Sequence, residues 1–168
     1  MAKLFYKDKP IIGLDISQTG MKVMSVDPKK WLVTGYGSID LDPSKVQQSL
    51  DSGDDYLTRN IKDLLGKSLV GNLASDHAVL GVPAGRAFTR TFTVPPNSEK
   101  HLQEAVELEV EQYIPLPMST LYVDYEIIER AKDQLTVLMC AVPRTVVDSC
   151  IAIAESAGLR VAMVETSI

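Results

Sequence analysis

The chain has 168 residues, a formal net charge of −5, and 45% hydrophobic against 23% charged residues, the balance of a globular protein able to bury a core. The acidic excess argues against nucleic acid, which requires a basic stripe, and no apolar run approaches the ~20 residues that span a bilayer. Residues 2–9 lack the apolar segment of a signal peptide, and Cys140 and Cys150 stand outside any C-x-x-C pattern, so a cytoplasmic protein without disulfides or structural zinc is expected.

Residues 11–16 are apolar except for Gly13 and Asp15, which predicts a strand buried on both faces. Gln18, Thr19 and Gly20 make a tight turn, with Gly20 free to take a positive φ, and 21–26 runs back as a second strand. A hairpin of this kind brings backbone N–H groups, the Ser17 and Thr19 hydroxyls and the Lys22 ammonium into one small volume. That combination suits an anion such as phosphate. Asp15 faces the same place and suits Mg²⁺ held through water.

Residues 31–39 predict a third strand, 40–54 a loop or weak helix, and 55–69 a helix with Leu57, Ile61, Leu64 and Leu65 on one face. Residues 77–82 form a further strand closed by Pro83, Ala84 and Gly85. A second unit follows: strand 87–94, helix 98–113, strands 121–130 and 134–142 joined by a three-residue turn, helix 145–157 closed by Gly158, and strand 160–165. The expected architecture is α/β, and the order β-α-β-β-α-β suggests a split βαβ domain of ferredoxin-like type.

No catalytic constellation emerges. Glu104, Glu107 and Glu111 read as a solvated helix face, because no histidine or second carboxylate helix joins them. His77 and His101 lie in unrelated contexts, and G-x-S-x-G is absent. Arg86, Arg90 and Arg144 read as structural arginines that are also suited to pairing with an acidic peptide.

The run Asp15-Ile16-Ser17-Gln18-Thr19-Gly20-Met21-Lys22 resembles the first phosphate loop of the actin-like ATPase superfamily, with Ser17 where most members carry glycine. Further motifs follow in order: Val79 to Pro83, Phe88-Thr89-Arg90, Val94-Pro95-Pro96, Glu109-Val110-Glu111-Gln112-Tyr113-Ile114-Pro115-Leu116-Pro117, Val123-Asp124-Tyr125 and Ala141 to Arg144. Together they resemble the PilM family of type IV pilus assembly proteins, over essentially the whole chain.

The resemblance implies a partial actin-like (ribonuclease H-like) core over 1–92, an inserted small βαββαβ domain over 93–165, and a return to the core at 166–168. Family members continue well past Ile168, so the chain is expected to match an N-terminal half. The resemblance also implies ATP and Mg²⁺ as ligands of the complete protein, with Asp15, Ser17, Gln18, Thr19, Gly20 and Lys22 at the phosphates and Asp15 toward the metal. The implied partner is the N-terminal cytoplasmic peptide of the inner-membrane protein PilN, received in a groove between core and insert. Arg86, Phe88, Arg90, Phe92, Ile114 and Leu116 are the candidate groove residues. The expected role is a cytoplasmic adaptor at the inner face of the membrane. An FtsA-like division protein and an actin-like ATPase or kinase are the alternatives.

Overall fold

The computed structural model describes residues 11–167; the N-terminal stretch 2–9 and Ile168 lie outside them. The chain divides into two compact units, one of residues 1–85 and 147–168 and the other of residues 86–146.

The first unit is built on a six-stranded mixed sheet. Its strands are β1 (Ile12–Ile16), β2 (Gly20–Asp27), β3 (Leu32–Asp40), β4 (Val70–Gly71), β5 (His77–Val82) and β9 (Arg160–Thr166), in the spatial order β4-β3-β2-β1-β5-β9. β1 pairs antiparallel with β2 and parallel with β5, which in turn pairs parallel with β9. Helix α1 (Pro43–Ser52) forms where a loop or weak helix was expected. The signal for it is local: the Asp42 carboxylate accepts from the Ser44 N–H at 2.9 Å, Pro43 opens the first turn, and Gly53 closes it at φ 70. The predicted 55–69 helix is α2 (Tyr56–Asp63), continued by a π-helical turn over Leu64–Ser68. Its apolar face delivers Leu57, Ile61 and Leu64 to full burial.

Ile12, Leu14 and Ile16 of β1 and Met21 and Val23 of β2 are buried on one side of the sheet. The other side departs from the expectation of a strand covered on both faces. Successive register partners Val70, Tyr36, Met24, Gly13, Val79 and Met163 form one row across all six strands. None of them is buried.

The second unit is a three-stranded antiparallel sheet, β6 (Phe88–Val94), β8 (Leu135–Pro143) and β7 (Leu121–Arg130), in the order β6-β8-β7. The predicted hairpin of β7 and β8 is present, with Tyr125 opposite Met139 and a bulge near Ile128. Helix α3 (Leu102–Tyr113), preceded by a 3₁₀ turn over Pro96–His101, lies on one face. Leu102, Val106, Val110 and Ile114 pack there with Phe92, Val94, Leu121, Leu135, Val137, Met139 and Ala141. Fully buried side chains such as Val110 and Val137 each contribute about 1.5–3 kcal/mol from burial.

The expected βαββαβ insert over 93–165 is corrected at both ends. β6 belongs to the second sheet, so the boundary falls at residue 86 rather than 93. β9 joins β5 in the first sheet, with His77 opposite Arg160 and Val82 opposite Thr166, so the chain is back in the first unit well before 166. Helix α4 (Arg144–Ser156) spans that return. The second unit is therefore βαββ. A strand's sequence records that it is apolar, not which sheet receives it.

Candidate functional site

Two regions collect the candidate residues. The first is the β1–β2 hairpin. Asp15 and Lys22 are register partners on the same face of the sheet. Asp15 also lies opposite Gly81 of β5. A Cβ at Gly81 would meet Asp15 Oδ1 at 2.8 Å, so glycine there leaves room for the carboxylate. The loop is only Ser17, Gln18 and Thr19. The Ser17 N–H donates to the Gly20 carbonyl at 2.9 Å, and the Ser17 hydroxyl donates to the same oxygen at 3.0 Å.

Ser17 thus stitches the hairpin shut, a use for its hydroxyl that a glycine at this position could not serve. Gly20 does not use the positive φ open to it. It is required instead by space, since a Cβ would fall 2.8 Å from the Ile39 carbonyl oxygen. Gln18 folds its amide over the turn at Gly85, where a Cβ would come within 2.9 Å of Nε2. Among the described residues, the N–H groups of Gln18 and Thr19 meet no protein acceptor. This set fits a phosphate in part: two N–H donors, the Thr19 hydroxyl and the Lys22 ammonium remain to offer, while the Ser17 donors are committed. No cluster of three or more metal-ligating side chains occurs among the described residues.

The second region is a cleft of about 420 Å³ within the second unit, lined by Ala87, Phe88, Thr89, Arg90, Tyr113, Ile114 and Met139. It opens beside β6, an edge strand of its sheet. Met139 and Ile114 are almost wholly buried, and Phe88 is partly open. Arg90 is held from two sides: its guanidinium carbon lies 3.4 Å from the centre of the Tyr113 ring, and its Nε donates to Glu109 Oε2 at 3.0 Å. Glu109 and Tyr113 are four residues apart on α3, hence neighbours on one helix face. Stacking plus a charge-assisted hydrogen bond fixes the guanidinium plane.

Of the predicted groove residues, the cleft gathers Phe88, Arg90 and Ile114. Phe92 goes into the core, Leu116 is exposed outside the cleft, and Arg86 ends the 3₁₀ turn Ala84–Arg86. Sequence reasoning missed Tyr113, Met139 and the positioning role of Glu109. The i, i+4 spacing of Glu109 and Tyr113 was a visible signal, but nothing in it named Arg90 as the shared partner.

The family model described as type IV pilus assembly protein PilM matches residues 13–167. The chain belongs to that family. Two of the PilM motifs, Phe88-Thr89-Arg90 and Glu109 through Pro117, are the pieces that meet in the Arg90 clamp. Among solved structures, a PilM-PilN type IV pilus biogenesis complex matches at 21% identity and a TM-score of 0.78, over 94% of this chain and 47% of that one. The cytoplasmic domain of EpsL, an inner membrane component of the type II secretion system of Vibrio cholerae, matches at 12% identity and a TM-score of 0.57, over 93% of this chain and 56% of that one. The chain spans about half the length of these structures. The fold is the expected α/β one. Among the described residues no helix is long and apolar enough to cross a membrane.

Proposed function

We propose that this PilM-family chain acts as an adaptor at the cytoplasmic face of the inner membrane, and that its cleft receives the extended N-terminal peptide of a PilN-type membrane protein. The observation that carries the reading is the cleft beside edge strand β6, with an apolar floor at Met139 and Ile114 and the clamped Arg90 at its wall. An extended peptide needs apolar pockets and fixed donors to offset its ordering cost. The matched complex between a PilM and a PilN supports the choice of partner. Fluorescence polarisation with the labelled N-terminal peptide of the membrane partner tests it. Saturable binding that is lost on Phe88→Asp or Met139→Asp supports the adaptor reading; an undiminished signal with both variants places the peptide elsewhere.

In the same reading, the hairpin is the phosphate end of an ATP site in the complete protein. Asp15, Gln18, Thr19, Gly20 and Lys22 surround the phosphates, Ser17 holds the turn closed, and Asp15 carries Mg²⁺ through water. The nucleotide serves as a structural or switching ligand. Calorimetry with MgATP on a full-length family protein carrying this hairpin is expected to show weaker binding for Lys22→Ala. Unchanged affinity would reduce the loop to a plain hairpin.

A further inference from the structure

The first unit carries a feature that neither the cleft nor the phosphate loop uses, the tip of the β2–β3 hairpin. Asp27 and Leu32 are its last register pair, and residues 28–31 make the turn between them. The turn is ordered by its own chain: Asp27 Oδ1 accepts from the Lys29 N–H at 2.9 Å and from the Lys30 N–H at 3.2 Å. Trp31 closes it at φ 52, and among the described residues no other non-glycine has a positive φ. That left-handed backbone suits glycine or asparagine and is costly for a bulky side chain. The ring draws no packing from the fold in return, since Trp31 is 85% exposed. Leu32 and Val33 follow at 58% and 54%. Consecutive strand residues point to opposite faces, so neither face of the hairpin is covered at this end.

Charge supplies a second observation. Lys29 and Lys30 are exposed beside the ring, and neither ammonium has an ion-pair partner among the described residues. Asp27 is the one acid between residues 23 and 39, so two lysines against one carboxylate make the tip locally positive on a chain of net charge −5. A tryptophan with adjacent aliphatic side chains and flanking lysines suits a membrane–water interface: the apolar groups enter at headgroup level and the ammonium groups meet anionic lipid. A folded protein partner suits it less, because a turn and two strand ends offer far less than the about 800 Å² per side of a stable interface. We propose that the β2–β3 tip docks on an anionic phospholipid surface, with Trp31, Leu32 and Val33 in the interface and Lys29 and Lys30 on lipid phosphates. The contact is peripheral and reversible. It is independent of the peptide cleft, which belongs to the other unit.

Trp31 is the chain's single tryptophan, so its fluorescence reports on the tip alone. The chain is titrated with vesicles of equal parts phosphatidylglycerol and phosphatidylcholine, and with vesicles of phosphatidylcholine only. On the mixed vesicles Trp31 emission should move to the blue and be quenched by phosphatidylcholine brominated on its acyl chains. Lys29→Gln with Lys30→Gln should weaken binding about thirtyfold, from about fivefold per lysine at an anionic surface, and added salt should weaken the wild type in the same direction. Leu32→Ser keeps the reporter and should bind about tenfold more weakly. Trp31→Gly, followed by vesicle co-sedimentation, should lose at least about tenfold in binding yet melt no lower than wild type, because glycine takes this φ without strain. A markedly lower melting point for Trp31→Gly would make the ring a structural contact and overturn the inference. Emission untouched by brominated lipid, or equal binding to neutral and anionic vesicles, would overturn it too. So would a blue shift that grows with protein concentration in the absence of lipid, the sign of a second copy at the tip. The peptide assay on the cleft is unaffected by any of these results.

Discussion

Replacing Tyr113 by leucine separates holding a shape from supplying a contact. The ring stacks on the guanidinium of Arg90, whose side chain is 39% exposed, with that of its partner Glu109 at 23%. At that exposure the cation–π contact is worth about 0.5–1 kcal/mol, and Tyr113 is itself about half exposed, so little buried area is lost. Tyr113→Leu should therefore destabilise the second unit by about 1 kcal/mol, read as a shift of several degrees in Tm or a lower urea midpoint by circular dichroism. Binding should suffer separately. Freed from the ring, Arg90 must be ordered again when peptide arrives, at about 0.5–1.5 kcal/mol for an immobilised long side chain. That is roughly a two- to twelvefold loss of affinity. Tyr113→Phe keeps the ring face and should lie within about 0.5 kcal/mol of wild type in both measurements. Equal damage from phenylalanine and leucine, or no effect of leucine on either quantity, would refute the clamp.

Other outcomes follow from different parts of the fold. Ser25 is buried, and its hydroxyl accepts from Thr34 Oγ1 at 2.9 Å and from the Ala74 N–H at 3.0 Å. Ser25→Ala should cost about 1–3 kcal/mol and speed exchange of the Ala74 amide, whereas Thr34→Val, which removes only a hydroxyl donor to Ser25 Oγ and, at 3.2 Å, to the Ser25 carbonyl, should cost about 0.5–1.5 kcal/mol; the reverse order in denaturant unfolding would contradict this. The Asp76 carboxyl lies below its ordinary pKa, chiefly through its hydrogen bond with His77 and, more weakly, through Arg160. Because the folded value is the depressed one, its stabilisation is complete above the ordinary carboxylate range and disappears as pH falls through the folded value. Asp76→Asn should thus flatten the acid limb of a stability–pH curve below about pH 4, and an unchanged limb would assign acid sensitivity elsewhere. Burial pushes the Cys150 thiol up to about 12, and burial followed by the Asp124 carboxylate raises Cys140. A thiol reagent at pH 8 should label both slowly in the native chain and rapidly in denaturant; fast native labelling of Cys150 would show that its helix opens readily.

Much of the fold was legible wherever the information is local. The 77–82 and 121–130 strands have their predicted bounds, because apolar runs bounded by turn residues are a short-range signal. The Asp42-Pro43-Ser44 start of α1 was equally local and was underread. Sheet membership of β9 was not legible: Val161, Met163 and Val164 suit either sheet, and only the register with β5 decides. The site behaved in the same way. The acid, turn and lysine of the hairpin were plain in sequence, but the Ser17 bonds that occupy its donors depend on the register of β1 and β2. The Arg90 clamp joins residues nineteen and more positions apart, and no periodicity within either segment reports that distance.

The uncovered row across the first sheet bears on how this protein behaves at the bench. Met24, Tyr36, Val70 and Met163 are each 51–56% exposed. They sit on a sheet whose β1, β5 and β9 run parallel, an arrangement ordinarily sheathed on both sides. A face of this kind is adhesive in water. Concentrated samples of the chain should scatter light and bind apolar dyes. Sulfate should aggravate both effects, since salts excluded from protein surfaces strengthen apolar association, whereas a lysine at Met24 or Tyr36 should clear the solution without disturbing the side of the sheet that packs Ile12 and Leu14.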